Sequence, residues 1–338
     1  MGQRIQAWHD AKVIPVIDIS CVANGGPPND RAEVGNAIDA ACRSVGFFAI
    51  TGHGLDVERI KALEAAAHSF FAQTSDSKAQ IAMAKGGRAW RGWFPFEGEL
   101  TSGRPDQKEG IYFGSELSAE DPRVEAGLAL HGPNQFPAEP AALKQLVLEW
   151  LDEMTTIATT VMRCIALGLG LDEHWFEREL TADPTILFRI FRYPPTPAES
   201  WGVQTHTDYG LLTLLVQDEH EGLEVRAPSG WIQVPGGREK IICNLGDMLD
   251  RMTGGRYRST PHRVRNTTNH DRLSFPFFFD PSWNARVAPI PIAGAARDDD
   301  QATRWDGTSL RQLSGTYGEY LLAKVTKVFP DLGNDVLS

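Results

Sequence analysis

Apolar and polar positions repeat along the chain in two periods, and the change of period divides it. The run Val13-Ile14-Pro15-Val16-Ile17-Asp18 is dominated by β-branched residues and predicts a short buried strand, with Asp18 and Ser20 at its exit. From Arg31 to Ser44 the apolar positions Val34, Ile38, Ala41 and Val45 recur at helical spacing. The stretch GFFAITGHGL that follows reads as a second strand, with His53 between two glycines as a turn residue. Asp56 is placed to cap a helix whose core face is Ile60, Leu63, Ala67, Phe70 and Phe71. Residues 86–104 mix aromatics, arginines and glycines without a period, as a loop or edge segment lining a site would.

Helical period returns over residues 139–169, where Leu143, Val147, Trp150, Leu151, Met154, Ile157, Val161, Ile165 and Leu169 form one apolar face suited to backing a sheet. From Thr185 onward the pattern changes to short strands separated by Gly, Pro and Asp turns. Their lengths and turns predict a mainly β fold with α additions, a double-stranded β-helix or jelly-roll core with supporting helices. A last helix is expected from Ser309 to Val328 through Leu310, Leu313, Tyr317, Leu321 and Val325, ended by Pro330. With no repeat or linker, residues 1–338 are expected to form a single domain. Its parts are an N-terminal region over 1–130, a core over 180–290 and a C-terminal helix within 305–330.

Length and charge narrow the function. A chain of 338 residues has room for one large barrel domain with helical additions or for two ordinary domains, and composition alone does not choose between them. Net charge is −11 and no basic run interrupts it, which argues against a nucleic-acid partner. Cys21, Cys42, Cys164 and Cys243 are scattered without a paired spacing, as expected for reduced, buried thiols in a cytoplasmic protein. The opening MGQRIQAWHD lacks the apolar core of a signal peptide, Gln6 breaks the myristoylation pattern, and no apolar run is long enough to cross a membrane.

The stretch that carries chemistry runs from His206 to Ser274. His206 and Asp208, two apart, would share a strand face, and His262 follows in the segment PHRV. A lone His-x-Asp arises often by chance. Two histidines with one carboxylate make a facial triad that suits Fe(II) and leaves positions open for substrate and O₂. Ten residues beyond His262, Arg272 and Ser274 repeat the period of two, so a guanidinium and a hydroxyl can grip one carboxylate. The order of all five residues is far more selective than any pair.

In that order of residues, and in GFFAITGHGL, the sequence resembles the Fe(II)/2-oxoglutarate oxygenases of the isopenicillin N synthase-like family over nearly its whole length. The resemblance implies that His206, Asp208 and His262 bind Fe(II) and that Arg272 and Ser274 hold the distal carboxylate of 2-oxoglutarate. With O₂ as the second co-substrate, the implied reaction is oxidation, in the first instance hydroxylation, of a small molecule. Tyr193 in FRYPP matches a family position that points a phenol at the site, and Arg192 beside it is a second binder for the co-substrate. Strand alternation allows only one of the two to face inward. Around HTDYGLL and GDMLDRMTGGRYRSTPHRV the similarity is greatest to the branch of bacterial ethylene-forming enzymes and plant homoarginine hydroxylases. This implies a substrate site at Glu99, Thr101 and Tyr209, with Lys327 for an amino acid carboxylate, and hence a guanidino or amino acid substrate. Two alternatives share these residues: a 2-oxoglutarate-independent iron oxidase of the isopenicillin N synthase type, and a non-catalytic small-molecule binding protein on the same fold. An aromatic run, Trp90, Trp93, Phe94 and Phe96, offers a competing pocket for a flat, apolar substrate.

Overall fold

A computed structural model describes residues 13–329 except 102, 198, 199, 293, 295–297, 300, 302–306, 308, 311 and 313. The N-terminal decapeptide, Leu313 and Pro330, all invoked above, lie outside the described residues.

In chain order, strand β1 (Val16–Asp18) and helix α1 (Pro28–Ser44) lead into β2 (Phe47–Thr51), and α2 (Val57–Phe71) follows. The Asp56 side chain accepts the Glu58 N–H at 2.9 Å and so caps α2 as its sequence predicts, a bond worth about 1 kcal/mol. After β3 (Gly92–Phe94), a hairpin of β4 (Leu100–Thr101) and β5 (Arg104–Pro105), and β6 (Glu109–Gly114), the long α3 (Ala142–Leu169) crosses the molecule. The core strands are β7 (Pro184–Tyr193), β8 (Val203–His206), β9 (Leu212–Gln217), β10 (Leu223–Ala227), β11 (Gly230–Val234), β12 (Ile241–Leu245), β13 (His262–Val264) and β14 (Arg272–Ser282). Helix α4 (Tyr317–Val328) comes last.

An eight-stranded sheet, in the order β1-β2-β12-β9-β14-β7-β6-β3, is joined by a four-stranded sheet, β11-β10-β13-β8. These are the two leaves of a jelly roll. Strand β14 shows how period two builds the interior. Leu273, Phe275, Phe277 and Phe279 are all buried, and on this face Phe275 and Phe188 of β7 pack on Trp150 of α3 at ring distances of 6.0 and 5.9 Å. The intervening residues Arg272, Ser274, Pro276, Phe278 and Asp280 line the cavity inside the roll. Trp150 is fully buried, and its replacement by alanine would cost about 3–5 kcal/mol.

The elements differ from the sequence reading in three places. The first strand is narrower than residues 13–18 and lies at the edge of the large sheet, so Val13 and Val16 are 58 % and 50 % exposed. Helix α4 begins at Tyr317 and not near Ser309, because Thr316 and Glu319 form a reciprocal capping box that fixes its start. Cys21 is only half buried, whereas the other three thiols are buried and all four are free. No helix among the described residues is long and apolar enough to cross a membrane.

Candidate active site

Strands β8 and β13 pair so that His206 and His262 stand directly opposite one another, with ring centres 4.2 Å apart. Strand β8 ends at His206, so Asp208 reaches the site from the turn beyond it and not from the same strand face. That turn packs tightly on β14: a Cβ on Gly210 would lie 1.4 Å from Asp280 Oδ1, so only glycine fits there. The outcome matches the spacing argument all the same. His206 Nε2 and His262 Nε2 lie 3.8 and 3.7 Å from the same oxygen, Asp208 Oδ1, and the ligand atoms of the three residues fall within 4.8 Å of one another.

The remaining atoms of the triad are held by the fold. His206 Nδ1 faces the Gln204 carbonyl at 2.8 Å and His262 Nδ1 faces that of Thr260 at 3.1 Å. A ring nitrogen facing a carbonyl carries the proton, so each Nε2 keeps its lone pair toward the centre. Burial, and then the neighbouring His262, pushes His206 down to about 3, so it is a neutral imidazole at physiological pH. Asp208 Oδ2 accepts hydrogen bonds from Thr213 Oγ1 at 2.5 Å and Asn244 Nδ2 at 2.7 Å, which turns Oδ1 toward the histidines. Burial raises the Asp208 carboxyl, but the two imidazoles and these two donors outweigh it and hold the group below the usual carboxylate range. Two imidazoles and one carboxylate on one side of a shared point are a donor set that fits Fe(II).

On β14, Arg272 and Ser274 face the same cavity as predicted, and both are buried. The Arg272 guanidinium donates from Nη2 to Gln217 Oε1 at 2.6 Å and from Nε to the His220 carbonyl at 3.3 Å. Its Nη1 is buried without a partner, a vacancy that an incoming carboxylate would fill. Tyr193 stands opposite Arg272 in the β7–β14 register, and its hydroxyl lies 3.5 Å from Ser274 Oγ. Arg192, the other co-substrate binder considered, points to the opposite face, where it pairs with Glu109 at 2.6 Å and Asp271 at 2.7 Å. Strand alternation removes it from the site.

At the far end of the cavity the sequence reading is met in part. Glu99, Thr101 and Tyr209 all line it. Lys327 does not: it is exposed on α4, while the basic residue buried on that helix is Lys324, three residues earlier and 5.6 Å from the Tyr209 ring. Helical period explains the slip, since positions three apart lie on neighbouring faces. Of the aromatic run, Trp90 lines the cavity, Trp93 is engaged by hydrogen bonding to Glu109 at 2.9 Å, Phe94 packs on Tyr112 and Phe191, and Phe96 is 42 % exposed. Residues missed by the sequence reading complete the wall: Lys108, Tyr112, Arg189, Phe191 and Phe278, with Leu321, Val325 and Phe329 from the C-terminal segment. Arg189 was legible in principle, because it stands four residues before Tyr193 on the same inward row of β7.

Comparison with known proteins now decides the family. Residues 14–139 match the domain described as non-haem dioxygenase in morphine synthesis N-terminal, and residues 184–281 match the 2OG-Fe(II) oxygenase superfamily. A protein of Dictyostelium discoideum named as a probable iron/ascorbate oxidoreductase is 42 % identical over 96 % of this chain and 97 % of its own length. The chain belongs to the 2OG-Fe(II) oxygenase superfamily. A homoarginine-6-hydroxylase of Glycine max is 33 % identical over 96 % of this chain and 99 % of its own. Among solved structures, a 2OG-Fe(II) oxygenase family protein of Caulobacter crescentus superposes with a TM-score of 0.76 at 27 % identity, covering 93 % of this chain and 98 % of that one. The protein is thus an enzyme, an Fe(II)- and 2-oxoglutarate-dependent dioxygenase acting on a small molecule with O₂ as the oxidant. That conclusion favours neither the 2-oxoglutarate-independent oxidase nor the non-catalytic binding protein.

Proposed function

We propose that His206, Asp208 and His262 are the iron ligands, that Arg272, Ser274 and Tyr193 hold 2-oxoglutarate, and that the enzyme hydroxylates a small molecule bound between β7, β14 and α4. The observation that carries this reading is the meeting of three ligand atoms within 4.8 Å of one another in the same cavity as a buried guanidinium with an unfilled Nη1. When bound, Fe(II) with 2-oxoglutarate and O₂ supplies the oxidation of a C–H bond, coupled to decarboxylation of the keto acid. The chain's own contribution is placement. Asn244 and Thr213 aim Asp208, the carbonyls of Gln204 and Thr260 fix both imidazoles, and Gln217 with His220 fixes the plane of the Arg272 fork so that the co-substrate meets it without rearrangement. The aromatic walls keep water from the reacting end.

The whole chain is read as one oxygenase domain. Free thiols support a cytoplasmic location. A guanidino or amino acid substrate is a second reading, favoured by the kinship with homoarginine-6-hydroxylases. The direct test is anaerobic. Adding Fe(II) and then 2-oxoglutarate to the purified protein should give a visible charge-transfer band that neither gives alone, and that His262→Ala lacks. A band of full strength in His262→Ala would end the ligand assignment.

A further inference from the structure

The turn that carries Asp208 is held from two sides, and both supports lead to the C-terminal helix. On one side, amides of residues 246–248 serve all four carbonyls of residues 208–211. Asp247 N–H donates to Asp208 at 2.7 Å, Met248 N–H to Tyr209 and Gly210 at 3.1 Å each, and Gly246 N–H to Leu211 at 3.2 Å. On the other side, Asp280 on the inward row of β14 accepts the Leu211 N–H on Oδ1 at 3.0 Å. The turn cannot shift without breaking one set of these bonds.

Each support then ends on a tyrosine of α4. The Tyr317 hydroxyl donates to Asp280 Oδ2 at 2.5 Å. Three residues later, the Tyr320 hydroxyl donates to Asp247 Oδ2 over a longer 3.4 Å, while Asp247 Oδ1 accepts the Ser259 hydroxyl. Asp280 and Asp247 are 2 % and 1 % exposed, and both tyrosines are buried. Burying two carboxylates is costly, and filling the space between a strand and a helix does not call for it. The same helix walls the substrate end of the cavity with Leu321, Val325, Val328 and Phe329. One rigid element therefore faces the substrate with its apolar side chains and grips the supports of the metal turn with its hydroxyls.

We propose that Asp280 is a positioning residue, with Asp247 as its weaker counterpart, and that it couples the docking of α4 over the substrate cavity to the placement of the Asp208 carboxylate. This rests on the reading of Asp208 as an iron ligand. Asp280 acts through the Leu211 amide on one side and the Tyr317 hydroxyl on the other. Its carboxylate also packs so closely on the turn that only glycine fits at position 210, so a movement of either partner is passed on and not absorbed. Such a coupling is reciprocal. Filling the metal site tightens α4, and a substrate that holds α4 against the cavity steadies the metal turn.

Hydrogen exchange of the α4 amides, read by mass spectrometry on the full chain without O₂, tests the coupling and needs no substrate. In wild type, loading with Fe(II) and 2-oxoglutarate should slow that exchange about tenfold, within the usual span of couplings between two sites. Tyr317→Phe cuts the helix side of the relay and leaves the Leu211 bond, so the response should fall below about twofold. Asp280→Ala should lose the response as completely. Asp280→Asn should restore most of it, because an amide both accepts the Leu211 N–H and donates to the Tyr317 oxygen. Glu319→Ala supplies the contrast with mere loosening: it breaks the capping box of α4 and should speed exchange in both states, leaving their ratio within about twofold of wild type. The wild-type response and Tyr317→Phe stand as tests even if Asp280→Ala fails to fold. An exchange rate that loading does not move, a full response in Tyr317→Phe, Asp280→Asn no better than Asp280→Ala, or an equal loss in Glu319→Ala would each overturn the proposal. A missing charge-transfer band in wild type removes the iron reading and this inference with it, whereas a band with unmoved α4 exchange removes this inference alone.

Discussion

The two ends of the cavity are built on opposite plans. At the end proposed for the co-substrate, one strand supplies the cation and the hydroxyl, and its neighbour supplies the phenol in direct register: Arg272 and Ser274 on β14, Tyr193 on β7. The Arg272 guanidinium there keeps Nη1 without a hydrogen-bond partner. At the substrate end the groups come from distant stretches, Trp90, Glu99, Lys108, Arg189, Tyr209 and Phe329, and charges of both signs are buried together. A regular strand pair would serve for a diacid of fixed shape, as proposed for 2-oxoglutarate. A site assembled from edge hairpin, strand, turn and terminal helix can change its selectivity by replacing one piece, because no single element carries the whole wall.

The sharpest way to break this comparison is to remove the metal from between the two ends. Asp208→Ala or His262→Ala should abolish turnover and weaken Fe(II) binding by more than the roughly 10–100-fold that follows loss of a group merely orienting a ligand. Iron content after anaerobic loading and gel filtration measures it. Retention of stoichiometric iron with full turnover in either variant would remove that residue from the metal centre.

Next in size is the fork. Arg272→Lys keeps the charge but loses the planar donors, and its shorter reach breaks the bonds to Gln217 and His220. The expected result is a rise of about 10–100-fold in the KM for 2-oxoglutarate, the worth of one or two charge-assisted hydrogen bonds, with iron binding unchanged. An unaltered KM would place the co-substrate carboxylate elsewhere. Smaller again is Asn244→Ala. It leaves Asp208 Oδ2 with Thr213 as its remaining side-chain donor, so iron affinity should fall by about tenfold while the KM for 2-oxoglutarate stays constant once iron is saturating.

How far each end could be read from the sequence follows from the same difference in plan. His206, Asp208, His262, Arg272 and Ser274 were legible because period two on short strands turns a spacing in sequence into a shared face in space. Asp208 shows the margin of the rule, since the strand ends two residues before it and the turn delivers the carboxylate instead. Asn244 gave no such signal. It lies inside IICNL, an apolar run that reads only as a buried strand, and its bond to Asp208 spans 36 residues of sequence. Lys108 and Glu99 meet across nine residues containing a hairpin, and no period predicts where a hairpin folds back. Lys327 and Lys324 differ by less than one helical turn, which similarity in sequence cannot resolve without the helix start that Thr316 and Glu319 set.

The smallest expected effect tests the alternation argument itself. Arg192 and Tyr193 are adjacent, and the co-substrate reading depends on only one of them facing inward. Arg192 bridges Glu109 of β6 and Asp271 at the start of β14, on the outer side of the large sheet, where it is about one quarter exposed. Solvent screens such a pair, so Arg192→Ala should lower stability by no more than about 1 kcal/mol. Glu109 keeps Lys78 at 2.7 Å and the Trp93 N–H, so its charge is not stranded by the loss. The KM for 2-oxoglutarate should not move, whereas Tyr193→Phe, which removes a hydroxyl 3.5 Å from Ser274 Oγ, should raise it severalfold without changing stability by more than a similar amount. Measuring both variants side by side isolates the direction of each side chain from the chemistry of its strand. If Arg192→Ala raised the KM as much as Arg272→Lys does, the inward row of β7 would have to be reassigned, and Arg189 with it.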